Sequence, residues 1–370
     1  MGFFKKIKLE NYRNFENFEF NFVSGCNVFF GKNGSGKTNI LEAISLFDKG
    51  KGFRKDNIKN LINKNYSKDQ FKISSTFNYE NQDLNLDLFN ENKKDIQIKK
   101  IFINGNSSKE SLIFFENLIS LIYFLPDMER LFVASPSLRR NFLDRLLFSF
   151  NKNYNVLINN YKKNLYERQK LLKNHKFDQE WINTLESKIV ELGMEIYKKR
   201  IEHISILNLI FNDTDIIKSN LYRIKLNIDD ELLNKKEIDI KNIKEKYLFD
   251  IKKSREIDVL LGGCKVGPHK SDIFGINTIN DFNINQYSTG QQKTIILLII
   301  IAHCKYLIKN CKRKPILLFD EVCSHLDTEN RKLLIQLIEI LNVQIFLTGT
   351  EKDFFSFLST KASYCNINKK

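Results

Sequence analysis

CNVFFGKNGSGKTNILEAISLF, residues 26–47, is the stretch on which the fold turns. Cys26 to Phe30 read as a short apolar strand, GKNGSGKT at 31–38 as a glycine loop, and the run after it as an amphipathic helix. Gly31, Gly34 and Gly36 let the backbone curl so that successive amide groups face an anion at a helix N-terminus. Lys37 is then placed for the β and γ phosphates of ATP, and the Thr38 hydroxyl for Mg²⁺. The expected ATP-binding set is Gly31, Lys32, Asn33, Gly34, Ser35, Gly36, Lys37, Thr38 and Asn39.

Two later segments extend this expectation. PILLFDE at 315–321 is an apolar strand ending in two carboxylates. Asp320 is placed for the Mg²⁺ shell, and Glu321 to polarise the attacking water as general base, so Lys37, Asp320 and Glu321 form the expected catalytic set. Ser324, His325, Leu326 and Asp327 follow at the position of the loop that, in ABC-type heads, crosses to a partner subunit. YSTGQQK at 287–293 opens a long helix, with Ser288, Thr289, Gly290 and Gln291 as an expected signature loop. Such a loop cannot reach the phosphates of its own chain. It implies a head-to-tail homodimer that sandwiches two ATP molecules.

The expected fold class is therefore α/β: an ABC-type P-loop ATPase head, a mixed sheet with helices plus an antiparallel β lobe, interrupted by an inserted helical arm. Phe4, Ile7 and Leu9, then Phe18, Phe20 and Phe22, give strand-like alternation at the start. FKISSTFNY, LNLDLF and QIKKIFING supply the lobe, with Asn104-Gly105 as a turn signal. Between Phe150 and Phe211 the apolar spacing becomes three and four, through Val156, Ile158, Tyr161 and Leu165, then Trp181, Leu185, Ile189, Leu192 and Ile196. Either an arm or ordinary core helices satisfies that pattern. Three segments follow: 1–112 as the first part of the head, 113–257 as the mainly helical arm, and 258–370 as the second part of the head.

With 370 residues, 42% hydrophobic and 12% aromatic, the chain can bury a sizeable core. Its net charge of +15 attracts polyanions, although Lys-rich composition throughout the chain supplies part of that excess. The six cysteines form no CxxC pair and have no histidines at metal spacing, so reduced structural thiols are expected. The start lacks a signal-peptide run, and the apolar stretch Ile295–Ala302 is far below the roughly 20 residues of a membrane span. A cytoplasmic protein without membrane contact is expected.

Over nearly its whole length the chain resembles the RecF family of bacterial recombination mediators. The resemblance rests on LENYRNF (9–15), GKNGSGKTNILEAI (31–44), GKGFR (50–54) and LPDMERLFVASPSLRRNFLD (125–144), then WINTLESKIVELGMEIYKKR (181–200), VGPHKSDI (266–273), STGQQK, FDEVCSHLD and FLTGT. SPSLRRNFLD and GPHKSDI have no role in generic ABC heads, which makes the match specific. It implies a slow ATP hydrolase used as a DNA-binding and dimerisation switch. That protein would bind duplex or gapped DNA or a single-strand/double-strand junction, and would help RecO and RecR load RecA in replication, recombinational repair and the SOS response. Gln291 stands where the family commonly has Glu, and Cys264 where it has a GxT. Thr348 or Thr350 ends the strand that often carries a histidine switch.

Rival readings differ in stated ways. A transporter ATPase places its signature loop much closer to the phosphate loop, and an SMC-like or Rad50-like protein inserts far longer heptad arms. A non-catalytic, nucleotide-switched DNA scaffold would not need Lys37, Asp320 and Glu321 intact. Candidate DNA contacts are Arg139 and Arg140, with Arg145 beside them, and Lys162, Lys163, Lys199 and Arg200 on the arm, with Arg168 and Lys198. A solvated helix face, or for Arg139 and Arg140 a structural role, is the alternative. No base-reading element is recognisable, so contacts through phosphates are expected.

Overall fold

The N-terminal alternation forms β1 (Gly2–Tyr12) and β2 (Phe15–Asn21), paired antiparallel. Phe4 and Ile7 are three apart, which strict alternation would send to opposite faces, yet both are buried. A register shift between Phe4 and Lys6 in the pairing with β4 (Lys72–Tyr79) reconciles the two. Then come β3 (Cys26–Phe30), α1 (Lys37–Ser45), the lobe strands β5 (Gln82–Lys93) and β6 (Ile96–Ile103), α2 (Lys109–Leu118) and β7 (Leu121–Phe124). The antiparallel sheet has the order β2-β1-β4-β5-β6, as the strand-like pieces after Gly52 predict. Glu80 and Asn81 both have positive φ and make the β4–β5 hairpin turn, while the Asn104-Gly105 turn folds the end of β6 onto Asn106.

Residues 130–295 hold α3 (Pro136–Phe150), α4 (Lys152–Lys173), α5 (Gln179–Phe211), β8 (Ile224–Asp229), α6 (Ile240–Lys253), α7 (Arg255–Leu261), β9 (Asp272–Asn277) and β10 (Phe282–Asn283). The strands form a small antiparallel sheet in the order β10-β9-β8. The arm helices α4 and α5 pack on each other, and most of the face that spacing indicates is interior, with Ile158, Tyr161, Leu185, Ile189 and Ile196 all buried. Val156 and Trp181 are exposed, whereas Arg168 and Glu186 are fully buried. Arg168 donates to Glu186 at 2.9 Å, to Asp258 at 2.6 Å and to the Ile251 carbonyl at 2.7 Å, and Arg255 adds a second guanidinium on Glu186. Charges are buried only when paired and hydrogen-bonded in this way.

The chain then forms α8 (Thr289–Lys309), β11 (Ile316–Phe319), α9 (Thr328–Ile340), β12 (Ile345–Gly349) and β13 (Ser363–Asn366). A parallel sheet assembles in the order β13-β3-β12-β11-β7, all its pairings long-range in sequence. Helix α8 has the length and apolarity to cross a membrane, but 83% of its apolar window is buried. Ile295 to Ala302 are almost completely inaccessible, at roughly 1.5–3 kcal/mol for each large side chain, which marks a core helix.

The computed structural model describes residues 2–65, 69–93, 96–174, 178–211, 222–233, 240–358 and 361–369. They fall into two compact units: a head of Met1–Glu129 with Ile296–Lys370, and a second unit of Arg130–Ile295. The expected boundaries at 112/113 and 257/258 are thus displaced. β7 pairs with β11 and carries residues 113–129 into the head, while β9 pairs with β8 and keeps residues 258–295 in the second unit.

Candidate active site

In a parallel sheet every strand ends on the same edge, and the loops leaving that edge are where ligands bind. β3, β12 and β11 are neighbours, so the phosphate loop, Thr348–Gly349 and Asp320–Glu321 all leave the head sheet together. Gly36 is the N-cap of α1 at φ 107°, and a Cβ there would strike Asn14 and Phe15. Only glycine satisfies both constraints. Lys37 is buried and its Nζ donates to the carbonyls of Gly31 at 2.8 Å and Lys32 at 3.1 Å, arching the loop over its own ammonium. The Ser35 hydroxyl is buried with no hydrogen-bond partner among the described residues, and the Gly34 Cα faces open space. Unfilled donors around such a cradle are what an oxyanion of a phosphate would fill.

Across from the loop, the Thr38 hydroxyl lies 3.0 Å from Asp320 Oδ1, and the Thr348 hydroxyl donates to the same oxygen at 2.6 Å. Burial pushes the Asp320 carboxyl up from its ordinary value, opposed by the hydroxyls of Thr348 and Thr38 and the charges of Arg54 and Lys37. A hydroxyl and a carboxylate oxygen this close fit two ligands of one hard divalent cation, so Thr38 and Asp320 suit Mg²⁺. Glu321 is about a quarter exposed, its Oε1 is 3.6 Å from Lys37 Nζ, and its amide donates to Thr348 Oγ1 at 2.8 Å. Its φ of 52° lies in the left-handed region, a conformation costing about 1–3 kcal/mol that clusters at functional sites. Thr348, one of two candidates at the end of its strand, is the threonine that touches both carboxylate residues. Thr350 lies beyond the strand end.

The loop after the acidic pair is also ordered. Ser324 Oγ donates to the Glu321 carbonyl at 2.6 Å, His325 is largely exposed with Nδ1 3.4 Å from Glu129, Leu326 is buried, and Asp327 caps α9 by accepting from the Asn330 amide at 2.7 Å. In the second unit, Ser288 is exposed at the start of α8 and forms a reciprocal capping pair with Gln291. The Gln291 amide donates to Ser288 Oγ at 3.4 Å, and the Ser288 amide donates to Gln291 Oε1 at 3.0 Å. Gln291 therefore does as a neutral amide what a glutamate would do at that position. Thr289 and Gly290 form the first turn of α8.

The family model described as RecF/RecN/SMC N terminal domain matches residues 3–116 and 139–367. The DNA replication and repair protein RecF of Rickettsia conorii is 33% identical over 369 residues, covering 99% of each chain. The chain belongs to the RecF family. A solved structure of the recombination mediator protein RecF-ATPrS in the RecFOR pathway superposes with a TM-score of 0.82 at 25% identity, covering 99% of this chain and 96% of the other. An SmcHead bound to the C-winged helix domain of ScpA shares the fold with a TM-score of 0.57 at 16% identity, covering 96% and 92%.

Several RecF-family segments that sequence reasoning left without a role surround the phosphate loop. In LENYRNF, Arg13 pairs with Glu42 of α1 through two bonds of 2.7 and 2.9 Å, Tyr12 donates to the same carboxylate, and the Asn14 amide donates to the Ser35 carbonyl at 3.0 Å. In GKGFR, Arg54 donates to Asn39 at 2.7 Å and Glu42 at 3.2 Å. Asn368, near the C-terminus, accepts from the Lys32 amide at 2.9 Å. The signal available for these residues was a polar side chain inside an otherwise strand-like or glycine-rich motif.

The expected DNA contacts divide. Arg139 is spent inside the second unit, bidentate on Asp272 at 2.7 Å and donating to main-chain carbonyls including Phe132 at 3.1 Å. Arg200 is buried, bidentate on Asp144 at 2.8 Å. Arg168 is buried in the network already described. Arg139, Arg168 and Arg200 thus serve the interior, a correction to their place among surface contacts. Lys199 and Lys163 sit in i,i+4 pairs with Glu195 and Glu167, and Lys198 pairs likewise with Glu202. Arg140 and Lys162 remain without a carboxylate within ion-pair distance among the described residues.

Proposed function

We propose that this RecF-family chain is an ATP-hydrolysing, DNA-binding switch of replication and recombinational repair. The observation that carries the reading is the convergence of Lys37, Thr38, Asp320, Glu321 and Thr348 on one sheet edge. The phosphate loop binds the triphosphate of ATP, with Lys37 neutralising its terminal groups. Thr38 and Asp320 hold Mg²⁺, which when bound offsets phosphate charge. Glu321 takes the proton of the water that attacks the terminal phosphorus, giving ADP and inorganic phosphate. Ser288 to Gln291 complete the site of a partner copy, so ATP drives a two-fold dimer and slow hydrolysis releases it. The solved relative is described as a recombination mediator in the RecFOR pathway, which supports cytoplasmic work at DNA gaps with RecO and RecR and help in loading RecA.

The net charge of +15 supports binding through DNA phosphates. In the ATP state, duplex affinity should fall steeply with salt, log K linear in log salt at about −0.9 per phosphate neutralised, with little dependence on sequence. Titrations by fluorescence anisotropy across salt concentrations test this. Salt-insensitive binding, or strong preference for one short sequence, would contradict it.

A further inference from the structure

SPSLRRNFLD and VGPHKSDI are not used by the ATP chemistry, yet in the second unit they meet. They line a cavity of about 260 Å³ with the arm helices: Ser137, Arg140 and Asn141 from α3, Lys162 from α4, Arg200 from α5, and His269. The wall is tightly built. Gly267 has φ 123°, and a Cβ there would collide with the hydroxyls of Tyr247 and Tyr161. Tyr161 is hydrogen-bonded to Tyr247 at 2.9 Å and to His269 Nδ1 at 2.8 Å, and His269 Nε2 meets the Cys264 carbonyl at 2.8 Å. A carbonyl can only accept, so Nε2 carries the proton and Nδ1 accepts from Tyr161. Burial holds the imidazole down to about 4, so His269 is a neutral, fixed wall at physiological pH.

The charges around the cavity do not cancel. Arg200 is neutralised by Asp144 and donates onward to the Pro268 carbonyl at 2.6 Å. Arg140 makes a single bond, to the Ser271 carbonyl at 2.5 Å, and its remaining donors have no partner among the described residues. The carboxylates that act on Arg140 through space, Asp272 and Asp144, are already held by Arg139 and Arg200. Lys162 is exposed at the rim with Ser137 and Asn141. Two uncompensated cations, one of them half-buried, thus face a space below the roughly 300–1,000 Å³ of cofactor pockets. That volume suits a phosphate and its attached sugar rather than a whole nucleotide.

We propose that this cavity seats one backbone phosphate of a bound DNA strand, with Arg140 and Lys162 as its cations. The inference rests on the DNA-binding reading above and assigns that reading a site. Its exposed rim allows a polymer to pass across the opening while one phosphate enters, and the fork of Arg140 can grip two oxygens.

The test compares duplex affinity and its salt dependence in the ATP state for the wild type, Arg140→Ala, Lys162→Ala and Lys188→Ala, the last an exposed lysine of α5 outside the cavity. Arg140→Ala and Lys162→Ala should each weaken binding by about tenfold, equally across sequences, with a salt slope shallower by about 0.9 for the lost phosphate. Lys188→Ala should change binding much less. If Arg140→Ala fails to fold, Lys162→Ala, altered at an exposed side chain, decides. Unchanged affinity and slope in folded variants would overturn the site while leaving DNA binding intact. A wild type that binds no duplex would instead sink the DNA-binding reading, and the site with it. A parallel arm measures melting with inorganic phosphate. Protection of the wild type but not of Arg140→Ala, with duplex affinity unchanged, would make the cavity a free-anion site and also overturn the proposal.

Discussion

Glu321 combines three features that rarely coincide: a left-handed backbone, a carboxylate 3.6 Å from the phosphate-loop lysine, and an amide tied to Thr348. The two adjacent carboxylates hold different partners, Asp320 the hydroxyls of Thr38 and Thr348 and Glu321 the ammonium of Lys37. Glu321→Gln keeps the size and removes the base. Hydrolysis should fall about 10²- to 10⁴-fold while ATP binding through Lys37, Thr38 and Asp320 persists. Single-turnover hydrolysis beside an equilibrium nucleotide-binding titration checks this, and near-wild-type turnover would remove Glu321 from the role of base. At this scale much was legible. Lys37, Thr38, Asp320 and Glu321 announce themselves because glycine spacing and an apolar strand ending in two acids are local patterns. Glu42 was not legible, because nothing in TNILEAI indicates that Tyr12, Arg13 and Arg54 converge on its carboxylate.

At the scale of elements, legibility follows the range of the interaction. β3, α1 and β11 were readable because each adjoins a phosphate-loop or acidic motif, whereas β7 and β13 were not, because a four-residue strand with no flanking motif declares itself only by pairing, here with β11 and β3. The arm helices show a different limit. Arg168 and Lys162 look alike in a helical repeat, but one is buried on Glu186 and Asp258 and the other is exposed. Spacing reports which residues share a face, and carboxylates from α5 and α7 decide which arginine that face can bury. Arg168 joins both helices, so Arg168→Met should leave buried Asp258 without its guanidinium and Glu186 with Arg255 alone, and destabilise the second unit by about 3–5 kcal/mol. Denaturant unfolding followed by circular dichroism measures this. A loss below about 1 kcal/mol would mean that the network is hydrated or redundant.

For the whole molecule, the central claim is that one chain supplies half of each ATP site. Ser288 sits exposed at the start of α8 in the second unit and Lys37 in the head, and in the proposed dimer they meet at the same ATP only across two copies. Position in sequence points to a shared site, but the Ser288–Gln291 bonds are equally those of a helix cap, so capping alone does not distinguish the two roles. The +15 charge belongs to the same scale, since it favours polyanions in general without saying where a strand would lie. The most direct measurement mixes two inactive homodimers, Lys37→Ala and Ser288→Arg, and follows ATP hydrolysis while sedimentation verifies heterodimers. Each homodimer has two broken sites, but the heterodimer concentrates both defects in one site and leaves the other whole. With random pairing and independent sites, activity should recover to about a quarter of wild type. No recovery from verified heterodimers would contradict independent composite sites, and substantial hydrolysis by the Ser288→Arg homodimer would reduce YSTGQQK to an ordinary helix cap.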